Sequence, residues 1–73
     1  MTPEQFKAAR IACGLSASEW ATVLGYNLSQ PRQHIYALET GRKPINITIG
    51  RLAEMFARYG VPKRFKQQPE EPK

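Results

Sequence analysis

Arg32, Gln33, His34 and Tyr36 put four hydrogen-bonding side chains within five residues, and Arg42 and Lys43 follow shortly after. At helical spacing Ile35 and Leu38 turn inward, with Ala37 a further candidate, so the four polar side chains fall on the opposite or flanking faces. A helix that offers such groups outward, followed by a basic loop, suits a nucleic-acid groove: side chains meet base edges while the cations meet phosphates. Catalysis has much less to work with. His34 is the sole histidine, Cys13 the sole cysteine, and the chain contains no aspartate. The sequence offers no paired acid and base, no metal-ligand spacing and no phosphate-cradling glycine loop. No enzyme activity, metal, cofactor or small-molecule ligand is expected.

Four helices are expected to hold that face, at about residues 3–13, 17–24, 30–40 and 47–59. Thr2 can cap the first, Pro3 fits its opening position, and Gln5 stands where a capping box requires. Phe6, Ala9 and Cys13 share one face, with Ala12 a further candidate. Cys13 is expected to be a small buried residue at the helix end, and Gly14 to end the helix in a left-handed conformation. Ser16 and Glu19 form a second capping box, with Leu15 stapling onto Trp20. Trp20, Ala21, Val23 and Leu24 supply the apolar face of this helix, and Gly25 stops it.

Ser29 is the expected cap of the third helix, Pro31 lies in its first turn and Gly41 ends it. Asn46 or Thr48 caps the fourth, in which Ile49, Leu52, Ala53 and Phe56 face inward. Gly50 inside that helix costs ~1 kcal/mol relative to alanine. Gly60 and Pro62 end it, and one more turn within 61–66 would make five helices. There is no alternating strand pattern and no repeat. The fold is expected to be all-α and compact. Trp20 and Phe56 read as core, whereas Tyr26 and Tyr59 remain open, either being a candidate dimer contact.

Seventy-three residues support one small domain, placed at 1–62. Eleven Lys+Arg against six Asp+Glu give +5, an excess that favours polyanions. Residues 63–73 alone contribute +2, through Lys63, Arg64, Lys66 and Lys73 against Glu70 and Glu71. With Pro69 and Pro72 and little to bury, this segment reads as a basic, disordered tail. It either adds nonspecific attraction or merely solubilises. The opening MTPEQFKAAR lacks the apolar core of a signal peptide, and no run reaches membrane-spanning length. A cytoplasmic location is expected, nucleoid-associated when DNA is bound.

The spacing resembles the Cro/lambda-repressor-like helix-turn-helix family, also called the xenobiotic-response-element family. The matching residues are Arg10, Gly14-Leu15-Ser16, Glu19, Ala21, Leu24-Gly25, Ile35, Leu38-Glu39 and Gly41, with Leu52-Ala53 in the following helix. The resemblance covers about residues 4–60. It implies a bacterial or phage DNA-binding domain whose third helix enters the major groove. Arg10 would pair with Glu39, tying the first helix to the end of the third, and Ala21 would be small where the two helices of the motif cross. The chain departs from the family twice. Between Gly25 and Glu39 it carries about four extra residues, placed in 26–30, with an earlier start of the third helix as the alternative, and Ala17 stands where many relatives have a phosphate-binding glutamine.

Carried over by position, the base-reading residues are Arg32 and Gln33, with Tyr36 and Ala37 one turn later. The chemistry is suitable: arginine donates two bonds to guanine O6 and N7, glutamine pairs with the N6/N7 edge of adenine, and alanine meets a thymine methyl. Tyr36 serves equally well as a phosphate contact or as cover for the core. Arg42, Lys43, Gln30, His34, the N–H groups near Asn46, and Ser18 in place of the absent glutamine are the phosphate candidates. The expected function is sequence-specific binding of double-stranded DNA by a small transcriptional repressor acting through occlusion. A homodimer on a two-fold site would form through the fourth helix, Tyr59 or a DNA-induced contact, with half-sites about one helical turn apart. The competing reading keeps this fold as a protein-interaction module, antitoxin-like or a phage accessory protein, that does not read DNA.

Overall fold

The computed structural model describes residues 1–66. Its first helix, α1 (Pro3–Ala12), starts because Thr2 and Gln5 bond reciprocally: the Gln5 N–H donates to Thr2 Oγ1 at 3.1 Å, and the Thr2 N–H to Gln5 Oε1 at 2.9 Å. Two donors left open by the first helical turn are thereby satisfied. The second helix, α2 (Ala17–Val23), repeats the device with Ser16 and Glu19. The Ser16 bonds, backbone first, hold the Glu19 carboxyl below its ordinary pKa. Gly25 follows α2 at φ +88°, a left-handed conformation that a side chain would strain.

The third helix, α3 (Pro31–Glu39), begins differently from expectation. Gln30 rather than Ser29 is the N-cap, and it makes no side-chain cap bond. The residue before a proline is disfavoured in helical conformation, so the helix can start no earlier than Pro31 and Ser29 falls one position short. Pro31 has no N–H to satisfy, which lowers the need for a cap. The fourth helix, α4 (Ile47–Tyr59), is capped by Asn46, whose Oδ1 accepts the Ile49 N–H at 2.8 Å. Observed bounds lie within one residue of those expected.

The core lies where α2 packs on α3 and α1 packs on α4 and α3. Trp20 is completely buried between Phe6 and Phe56, with ring centroids at 5.8 and 6.3 Å. These tilted contacts suit aromatic quadrupoles. The indole N–H of Trp20 finds no acceptor among the described residues. Ile35, Leu38, Ala21, Val23, Leu24 and Ala53 complete the interior. Cys13 is only half-buried and Ala12 is exposed, because the inward face of α1 is already filled by Phe6 and Ala9. Burial pushes the Cys13 thiol above its ordinary pKa, away from the reactive thiolate.

Lys63–Lys66, read from sequence as the beginning of a disordered tail, instead forms a single helical turn, α5. Phe65 anchors it, its ring meeting that of Phe56 on α4 edge-on at 5.9 Å, and α5 also packs against α2. The rest of the expected tail, 67–73, lies outside the described residues. The described fold is all-helical, with five helices, and none is long and apolar enough to cross a membrane.

Candidate nucleic-acid interface

Burial of Ile35 and Leu38 fixes the rotation of α3. Arg32, Gln33 and Tyr36 are exposed as a consequence, and Ala37 is half-buried between the two faces. The chain then turns back on itself. The Thr40 hydroxyl donates to the Tyr36 carbonyl at 2.8 Å, Gly41 adopts φ +82°, and the Lys43 N–H donates to the Ala37 carbonyl at 3.2 Å. These bonds close the end of α3 and hold Arg42 and Lys43 beside it.

The result is a concave surface along α3. It brings together Gln30, Gln33, His34, Tyr36, Ala37, Arg42 and Lys43, all singled out from sequence. Gln33, Ala37 and Thr40 line it at spacings of four and three, one face of a helix. Leu28 and Ser29 close its N-terminal end. No carboxylate lines this cleft, whereas two cations do. Leu28, Ser29 and Thr40 were missed by sequence reasoning. Thr40 could have been found from its helical spacing to Gln33, but nothing local marks Leu28, because a leucine in a turn reads as core.

Three expected contacts lie elsewhere. Arg32 is exposed on the flank of α3, outside the cleft. Ser18 is half-buried in α2, where its carbonyl accepts the Thr22 hydroxyl at 3.2 Å. Asn46 commits its side-chain oxygen to capping α4, so only the N–H groups of that first turn remain for an anion. Ala17 is buried and belongs to the core.

His34 sits at the back of the cleft with its ring edge-on to Tyr26 at 4.6 Å. Its Nε2 is buried without a partner among the described residues. Burial, and to a smaller extent the Lys43 charge, lower its pKa, so it is neutral at pH 7 and gives the cleft no charge. Burial raises the Tyr26 hydroxyl pKa. Tyr59, by contrast, is almost fully exposed at 79%.

Two tethers orient α3. Arg10 Nε donates to Glu39 Oε2 at 2.7 Å and Nη2 to Oε1 at 3.4 Å, a two-point contact between α1 and the end of α3. Arg10 Nη1 also donates to the Leu15 carbonyl at 3.1 Å, drawing in the connection before α2. Ala21 is completely buried in α2, which packs on α3. Comparison with protein-family models, curated proteins and solved structures finds no match to this chain.

Proposed function

We propose that this chain binds double-stranded DNA sequence-specifically, with α2 and α3 acting as a helix-turn-helix and α3 entering the major groove. The observation that carries the reading is the cleft along α3, where Gln33, Tyr36 and Ala37 face the same space as Arg42 and Lys43, with no carboxylate among the lining residues. Gln33 pairs with an adenine edge and Ala37 lies against a neighbouring base, while Arg42 and Lys43 grip phosphate. Arg32, on the flank, reaches a guanine beside the central contacts. The first-turn N–H groups of α4 supply a further phosphate contact. Occupation of a site by a domain of this kind represses by steric exclusion, and this resembles what the Cro/lambda-repressor-like family does.

The test is a titration of isotope-labelled protein with a mixed-sequence duplex, followed by amide NMR at two salt concentrations. Shifts at Gln30–Tyr36 and Arg42–Asn46 that weaken steeply with salt are the expected outcome. Shifts confined to residues 63–73 would overturn the reading. The protein-interaction alternative would then take its place, supported by the exposed Leu28 and Tyr36, at 43% and 49%, on the same surface.

A further inference from the structure

The connection between α2 and α3, Leu24–Gln30, does more than link two helices. It places Leu28 and Ser29, which precede α3 in the chain, in the lining of the same cleft as Arg42 and Lys43, which follow it. Leu28 is 43% exposed and flanked by the exposed Asn27 and Ser29, so the interior does not account for a leucine there. Ala37 is the other aliphatic side chain of the cleft. The surface therefore combines aliphatic side chains, a hydrogen-bonding group at Gln33 and two cations.

We propose that Leu28, acting from the lengthened connection, is a specificity residue that reads the 5-methyl group of thymine in the major groove. The inference rests on the DNA-binding reading and deepens it. The methyl is the one aliphatic group that bases present in that groove, and a side chain without hydrogen-bonding atoms can recognise nothing else there. The cations and the missing carboxylates select a polyanion, which favours DNA over an apolar protein partner as the occupant.

The binding site would first be selected from randomised duplexes. Each thymine in it would then be replaced by deoxyuridine, which removes the methyl and leaves every hydrogen bond. Wild-type protein should lose about fourfold in affinity at one such position, the weight of one buried methyl-sized group. Leu28→Ser should show no loss at that position, and a double-mutant cycle isolates the coupling. Because Leu28 is exposed, the variant should keep the wild-type unfolding midpoint and the wild-type salt slope. Equal deoxyuridine losses in both proteins would overturn the role of Leu28 while leaving DNA recognition standing. A folded protein that selects no duplex would overturn both.

Discussion

Two concave surfaces among the described residues have linings that differ in kind. The cleft along α3 combines cations and hydrogen-bonding side chains without a carboxylate. The groove between α1 and α4 is lined by aliphatic side chains, among them Ala8, Ala9, Ala12, Ile45 and Ile47, with Arg51 and Arg58 set against Glu54. Small side chains let two helices approach, and mixed charges leave no strong field. At its floor, where Ala9 and Gly50 are buried, the groove is explained by packing. The cleft is not, because its polar groups face outward and make few bonds to the protein itself. Concavity alone would have ranked the two surfaces alike, whereas lining chemistry separates them.

The contact joining the two regions should give the largest effect when broken. Arg10 stands on α1 and Glu39 at the end of α3, with side chains only 15% and 3% exposed. Arg10→Ala strands a buried carboxylate and should cost about 3–5 kcal/mol in urea unfolding, a large share of what so small a domain possesses. Replacing both residues together, Arg10→Met with Glu39→Leu, should cost much less. If the double replacement were as damaging as the single one, the pair would be more than a tether.

Gln33→Ala probes the centre of the cleft. Affinity for the selected site should fall by about 1–3 kcal/mol with preference relaxed at a single base pair, and stability should not change. Uniform weakening across all sequences would instead make Gln33 a backbone contact. Arg42→Ala should reduce affinity for every duplex and lower the salt slope by about 1. An unchanged slope would remove that side chain from the phosphate contacts.

Gly50→Ala belongs to the other surface and should act oppositely. The added Cβ would meet Met1 Cβ at 3.4 Å and Ile45 Cγ2 at 3.7 Å, ordinary contact distances, and Met1 is 45% exposed, with room to adjust. The helical gain should therefore dominate, stabilising by up to about 1 kcal/mol with DNA affinity unchanged. A lower melting temperature would show that Met1 and Ile45 leave the added Cβ no room.

The smallest effect concerns pH. Because burial lowers the His34 pKa in the folded state, the unfolded chain binds its proton more readily. The neutral form's contribution to stability is complete above about pH 6.5 and is lost as pH falls through the lowered folded value. Comparing wild type with His34→Gln at pH 7.5 and 5.5 isolates it. Identical pH dependence in the two proteins would mean that other groups carry the slope.

Helix starts were largely legible because capping is local. Thr2 with Gln5 and Ser16 with Glu19 each lie three residues apart, so the sequence pattern and the bond are nearly the same statement. The third start failed because no polar cap marks it. Proline geometry set it at Pro31, leaving Gln30 as an N-cap without a side-chain bond. Of the cleft, the outward residues of α3 followed from the burial of Ile35 and Leu38 at helical spacing.

By itself the chain determined its all-helical character, its aromatic core around Trp20 and the outward polar face of α3. Those properties depend on periodicity and on bonds spanning a few residues. Tertiary structure alone decided that Leu28 joins the cleft, that Arg32 stays outside it, that Ala17 is buried, and that Phe65 folds back onto Phe56. Each depends on how separate elements lie against one another. The Lys43–Ala37 backbone bond, the Arg10–Glu39 pair and the Tyr26–His34 contact set that placement locally. Only the assembled packing determines which of the exposed side chains come to share one space.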